Sequence, residues 1–379
     1  MPICRRRAPR KTAFCVDPNL ELKALVRLPL FEEHSMEESR PERTSGTTCV
    51  HACATLTLSP APPIQMCGRG PPRKAMVPID MLLQTDDALV VSDNAEQVLR
   101  NELGRHFTLK EESIGPPKMH LGGHVRKVQL ENGVECWAFS SSQYVQAAVK
   151  NVEEYLSKKD NVNWKLPAKA ETPMQTSYRP EIDVSPELQP IDAAYYMSLI
   201  GMLRWIVELG RVDVCLECSM LSSHLAMPRE GHLYQLFQVF AYLKKYHNTE
   251  MVYDPSDPCI NESEFELRDW TSSEFGHIEG KEELPPNMPT PRGRGFVINA
   301  KVDADHASDT VTRRSRTGFF VYLNCAPVYW LSKKQTSCES SSFGSEFVAM
   351  KQCCEYLRGL RYKLRMMGTF MYYFCSDLQ

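Results

Sequence analysis

Three acids stand in segments that could bring them together: Asp303, Glu346 and Asp377. Asp303 closes the run FVINAKVD, which is apolar at Phe296, Ile298, Ala300 and Val302. Alternation of period two marks a half-buried strand. Asp303 and Asp305 therefore project from one face of it. Glu346 sits in the first turns of a helical pattern, and Asp377 follows an aromatic run, Phe370 to Phe374. Carboxylates from separate segments can hold a hard cation such as Mg²⁺ only if the fold gathers them. Without that convergence, Asp303 reads as a turn residue and Glu346 as a solvated helix acid. A second acidic pair, Asp86 and Asp87, lies between two apolar runs, where a bare Asp-Asp is also an ordinary hairpin turn.

The elements that must position these acids follow from the pattern. Phe296 to Asp303 is a first strand. Thr317 to Leu323, rich in aromatic and β-branched residues, is a second, and Pro327 to Leu331 a third after a short turn at Asn324. The Ser/Thr run Thr336 to Ser342 leads into a helix from about Phe343 to Met367. Its apolar stripe is expected at Phe347, Met350, Cys354, Leu357, Leu360 and Leu364. Phe370 to Phe374 makes a fourth strand ending in Asp377.

Strand, strand, strand, helix, strand, with acids at these points, resembles the ribonuclease H fold. The wording VDADHASD, TRRSRTGFFVYL, VYWLSKKQ and SSFGSEFVAMK is similar to the ribonuclease H domain of Ty1/copia retrotransposon polyproteins. The resemblance implies that Asp303, Glu346 and Asp377 are the catalytic, metal-binding acids. They would hold paired Mg²⁺ (or Mn²⁺) ions about 3.5–4 Å apart for phosphodiester hydrolysis. The substrate it implies is the RNA strand of an RNA/DNA hybrid. Two departures stand out: Gly344 replaces a glutamate common in the family, and FCSDLQ replaces its usual GDN or CDN around Asp377. The family's fourth acid would fall beyond Gln379.

Upstream, MLLQTDDALVVSDNAEQVL (Met81 to Leu99) reads as strand, turn, strand and helix start. Asp86 and Asp87 at its tip resemble the YxDD motif of reverse transcriptases, with Gln84 where the family has tyrosine. FTLKEESIGPPKMHLGG and WAFSSSQYVQAAVKNVEEYL look like the end of the copia palm and the approach to its thumb. Polymerase chemistry needs a further acid from an earlier palm strand, and residues 1–75 contain nothing similar to it. The resemblance therefore implies no polymerisation by this chain.

A chain of 379 residues suggests two or three domains, and the overall class is mixed α/β. The expected division is 1–75 without a packed core, rich in Pro, Gly and Arg; 76–157 the palm end and thumb approach; 158–260 a linker and connection helices; and 261–379 the ribonuclease H-like domain. Cys49, His51 and Cys53 fit no familiar zinc spacing. Lys158 to Leu188 is polar and Pro-punctuated, hence a linker. Two helices follow, about Ile191 to Leu209 and from Pro228 to about Tyr246. His224 and His232 are read as structural histidines.

The net charge of −3 excludes a generic polycation, so any nucleic-acid contact must come from local basic patches. Arg313, Arg314 and Arg316 in the loop after the first strand, and Lys333 and Lys334 after the third, are the candidates because they flank the acids. No apolar run is long enough to span a membrane. The 14 cysteines, without a regular framework or signal peptide, indicate reduced thiols and an intracellular protein. The partners implied are an RNA/DNA hybrid or other nucleic acid and the missing parts of the polyprotein. Two readings stay open: a ribonuclease H-like hydrolase, and an inactive retroelement relic that at most binds nucleic acid.

Overall fold

The computed structural model describes residues 22–27, 80–84, 87–91, 94–105, 109, 114–158, 166–259, 288 and 292–371. The chain divides into two compact units, Asp17–Leu121 and a larger one comprising Met1–Val16 with Gly122–Gln379. Helices and mostly antiparallel sheets mix throughout, as the α/β class requires.

In the smaller unit, β2 (Asp80–Gln84) and β3 (Asp87–Val91) pair antiparallel, with Gln84 opposite Asp87. On the other edge of β3 lies β1 (Leu22–Arg27), giving the order β1-β3-β2. A short helix, α1 (Ala95–Gln97), continues through tighter and looser turns to Arg105. Val90, Ala95, Val98, Leu99 and Leu103 form a small core there. A two-residue strand, β4 (Met119–His120), ends this unit.

The larger unit opens with a meander: β5 (Gly123–Gln129), β6 (Glu135–Ser140) and, from far along the chain, β7 (Met251–Tyr253). Gly123 faces the ring of Phe139, and a Cβ there would stand 2.0 Å from its Cζ. Four helices make the main core: α2 (Ser142–Lys158), α3 (Pro190–Glu208), α4 (Cys215–Ser222) and α5 (Glu230–Lys245). Val145, Val152, Tyr196, Leu203, Ile206, Leu236 and Phe240 are buried between them. The second long helix begins at Glu230 rather than in the turn at Pro228, because the Pro228 carbonyl accepts from Leu188 N instead.

The polar stretch before α3 is not a free tether over residues 166–188. Gln238 donates to the Thr172 carbonyl and Gln175 N donates to Gln235, so the stretch is stitched along α5. Asp183 accepts from Tyr178, from Ser185 N and from Ser185 Oγ, and Ser185 Oγ in turn accepts from Gly231 N.

The C-terminal part is a three-stranded meander with a helix on it, and a two-stranded parallel pair. β8 (Arg292–Phe296) and β9 (Ile298–Ala304) follow each other around Val297. β9 pairs antiparallel with β10 (Arg316–Leu323), and β10 with β11 (Ala326–Lys334). Asn324, at φ 54°, closes the β10–β11 turn, and its Oδ1 accepts from Val297 N at 2.8 Å. The helix α6 (Ser342–Met366) covers this sheet, and β12 (Thr369–Met371) returns parallel to β8. Gly368 takes the left-handed φ of 74° that ends α6, its N–H donating to the Arg365 carbonyl.

The face of α6 differs from the stripe expected. Phe347 and Met350 are 57% and 52% exposed, and Cys354 is exposed too. The buried line is Ser345, Ala349 and Cys353, continued by Tyr356, Leu357, Leu360 and Leu364. The small residues at spacings of four let the helix lie close on Phe319 and Val321, where phenylalanines would hold it off.

Candidate functional site

The alternation of β9 decides where Asp303 points. Ile298, Ala300 and Val302 pack with Phe319, Val321 and Cys353 on the α6 side of the sheet. Asp303, one residue out of phase, lies on the opposite face and is exposed. Its neighbour across the strand pair is Gly318, which leaves that face free of a side chain beside the carboxylate.

Glu346 is placed by the start of α6. Ser341 has the extended backbone of an N-cap, and its hydroxyl accepts from Gly344 N at 3.1 Å. Glu346 then falls in the helix's second turn, half-buried, three residues before buried Ala349. Among the described residues, neither Asp303 nor Glu346 has a hydrogen-bond or ion-pair partner.

The end of β9 and the start of α6 are tied by a buried polar cluster. Ser345, Ser315, Thr317 and Gln335 are all essentially inaccessible. Ser315 Oγ lies 2.7 Å from Ser345 Oγ and accepts from Ala307 N at 2.9 Å. His306 Nδ1 lies 3.2 Å from the same Ser345 hydroxyl. The Gln335 amide donates to Thr317 Oγ1 at 3.1 Å and to the Ser345 carbonyl at 2.9 Å. Glu346 is thus held at the strand end that carries Asp303. A ligand shared by both must sit beyond that end, where the two faces meet.

Asp377 and Asp86 lie outside the described residues, and Asp87 opens β3. Among the described residues no cluster of three His, Cys, Asp or Glu side chains could hold a metal ion. None of their helices is long and apolar enough to cross a membrane.

The five basic candidates separate into two groups. Lys334 Nζ pairs with Asp309 Oδ2 at 2.8 Å. Arg316 reaches back to Ser219 Oγ on α4 at 2.6 Å, and Arg313 donates to the Ala307 carbonyl at 3.1 Å. Arg314 and Lys333 are exposed. Burial works against the charge of Asp309, but hydrogen bonds from Lys334 and Thr312 outweigh it and hold the carboxyl down at about 2. Asp305, the neighbour of Asp303 on its strand face by sequence, instead accepts from Arg316 N at 2.6 Å and closes the loop. These two acids are structural.

His232 is structural as well. Its Nδ1 accepts from Arg229 N at 3.0 Å, so its Nε2 carries the proton and donates to the Pro180 carbonyl at 2.9 Å. Burial depresses the neighbouring His224 to about 4, with His232 adding to the effect.

Ser315, Ser345, Gln335 and Asp309 help to build the site although no motif in the sequence singles them out. Ser345 carries the one available signal: it precedes Glu346 at a spacing of four from Ala349, the phase of the buried face.

Comparison with known proteins gives this architecture a lineage. The chain is 20% identical over 296 residues to the retrovirus-related Pol polyprotein from transposon TNT 1-94 of Nicotiana tabacum, covering 76% of this chain and 18% of that one. It is 26% identical over 176 residues to the corresponding polyprotein from transposon RE2 of Arabidopsis thaliana, covering 46% and 9%. An uncharacterized mitochondrial protein of Arabidopsis thaliana is 22% identical over 71% of this chain and 89% of its own length. No family model and no solved structure matches. The chain is related to retrotransposon Pol polyproteins. More narrowly, the polyproteins it is similar to belong to copia-type transposons, and the chain spans less than a fifth of their length.

Proposed function

We propose that the C-terminal sheet and α6 form a ribonuclease H-like hydrolase that cuts the RNA strand of an RNA/DNA hybrid inside the cell. The observation that carries this reading is the pair Asp303 and Glu346. Among the described residues both carboxylates, at one strand end, have no partner, while neighbouring Asp305 and Asp309 are used internally. The three-stranded sheet β9-β10-β11 beside the two-stranded pair in which β12 runs parallel to β8 supports it. So does the copia ancestry.

Oxygen ligands of this kind suit Mg²⁺ or Mn²⁺. Asp303 and Glu346 would hold the metal with Asp377. Bound there, the metal supplies water activation and stabilisation of the leaving oxygen. Arg314 and Lys333, both exposed, would meet phosphates without reading sequence. The rest of the polyprotein would supply polymerisation, with Asp86 and Asp87 as remnants of that site.

A second reading is a retroelement relic that binds nucleic acid without cutting it. The pleat that turns Asp303 away from the α6 face favours it. One experiment separates the two. Labelled hybrid is incubated with Mg²⁺ and either the wild-type chain or Asp303→Asn, and binding is followed in parallel by anisotropy. Cleavage lost in the variant supports the hydrolase. Equal binding by both proteins with no cleavage by either supports the relic.

A further inference from the structure

The buried cluster at the start of α6 fixes more than the helix. Its hydrogens can be counted along one chain of contacts. Ala307 N–H donates to Ser315 Oγ at 2.9 Å. Ser315 must then use its own hydrogen elsewhere, and Ser345 Oγ lies 2.7 Å away. Ser345, having accepted that bond, can turn its hydrogen to His306 Nδ1 at 3.2 Å, which among the described residues is nearer than the Ser341 carbonyl at 3.4 Å. Nδ1 of a neutral imidazole that accepts must be bare, so Nε2 carries the proton.

Ala307 is held for this role. It adopts φ 50°, a left-handed conformation unfavourable for an alanine. The conformation aims its N–H at Ser315. The Arg313 guanidinium donating to the Ala307 carbonyl holds the same turn from the other side. Ser345 and Ser315 are fully buried, whereas the ring they orient is exposed. A hydroxyl relay that ends on an exposed ring presents the far nitrogen of that ring outward.

We propose that His306 is a phosphate-contacting residue of the site, its Nε2–H presented to a non-bridging oxygen of the bound nucleic-acid strand by the Ala307–Ser315–Ser345 relay. This rests on the reading of the site as nucleic-acid-directed. His306 lies three residues past Asp303, and its anchor Ser345 immediately precedes Glu346. An oxygen within reach of both carboxylates' metal would therefore belong to the same phosphate or its neighbour. The ring remains a donor here and takes no part in proton transfer.

The test has a spectroscopic arm and a binding arm, both on the full chain. With ¹⁵N-labelled histidine at a pH where the ring is neutral, His306 shows the Nε2–H tautomer. Ser345→Ala shifts it toward the mixture seen for a free imidazole, while circular dichroism confirms the fold. In the binding arm, an RNA/DNA hybrid of defined length is titrated by anisotropy in the absence of divalent metal. His306→Ala weakens binding roughly tenfold, the loss expected for one hydrogen bond to a charged group. His306→Gln, which keeps an N–H near the same place, recovers most of it. Equal affinity for wild type and His306→Ala, or an Nδ1–H tautomer in the wild type, overturns the proposal. No hybrid binding by the wild type overturns it together with the reading it rests on.

Discussion

Lys334 Nζ stands 2.8 Å from Asp309 Oδ2, and this pair joins the β9–β10 loop to the end of β11. The contact turns a residue placed for nucleic acid into one that holds the loop. Both side chains are mostly buried, 24% and 11% exposed, so the pair is not a freely screened surface bridge. Its consequence is a pH dependence. The Asp309 carboxyl is held at about 2 in the folded chain against 3.8 ordinarily. A depressed folded value contributes stability above the unfolded pKa, and that stability is lost as pH falls from about 3.8 towards 2. Unfolding free energies of wild type and Asp309→Asn from urea titration should differ by no more than about 2 kcal/mol at neutral pH. The gap should close progressively below the unfolded pKa. A gap independent of pH would show that the carboxylate charge contributes nothing.

Charge removal at the two groups of basic residues should have opposite signatures. Arg314→Ala and Lys333→Ala should weaken hybrid binding with the fold intact, each lowering the salt slope by roughly one. Lys334→Ala should instead lower the melting temperature, because it leaves Asp309 buried without its partner. Isotherms against salt, set beside melting curves, distinguish the two. A larger binding defect from Lys334 than from Lys333 would contradict the assignment.

Gly231 at the start of α5 has no room for a methyl group. A Cβ there would lie 1.8 Å from Asp183 Oδ2, which already accepts from Tyr178. Alanine would gain about 1 kcal/mol in helix propensity. The clash should exceed that gain, since displacing Asp183 also disturbs the Ser185 bridge. Gly231→Ala should therefore be destabilising by roughly 1–3 kcal/mol in chemical denaturation. A more stable variant would mean that the 178–188 segment moves without cost.

The hairpin of β2 and β3 should not support polymerisation. Of the two strands beside β3, β1 (LKALVR) contains no acid, and the one acid of β2, Asp80, pairs with Val91 at the end away from Asp87. Two neighbouring carboxylates on a hairpin cannot supply a ligand from a separate strand. Primer extension by the purified chain, with Mg²⁺ and all four deoxynucleotides, should be absent. Extension that is lost in Asp87→Asn would refute this.

Local pattern made the elements legible. Alternation located β9, aromatic and β-branched residues located β10, and the Ser/Thr run located the start of α6, whose expected end at about Met367 lies one residue from the observed Met366. The Asp-Asp segment was readable as a hairpin for the same reason. What escaped were relations between segments. The stripe on α6 was misread because spacings of three and four describe two neighbouring lines on a long helix. Only the sheet decides whether Phe347 or Ala349 is buried. The short α4 has too little periodicity to show. The uses of Lys334 and Arg316 depend on Asp309 and Ser219, partners 25 and 97 residues away in sequence. Asp303 and Glu346 could be named from motif wording, but the Ser315, Ser345 and Gln335 cluster that fixes their elements has no sequence signature of its own.

The central claim is that Asp303 and Glu346 serve one metal centre. Paramagnetic broadening by substoichiometric Mn²⁺, read from assigned backbone amides of the full chain, tests it most directly. The account predicts that the amides of Asp303 and Glu346 broaden together at the lowest additions, and that Asp303→Asn abolishes the effect at both. Broadening confined to one of them, or unchanged at Glu346 in Asp303→Asn, would contradict it.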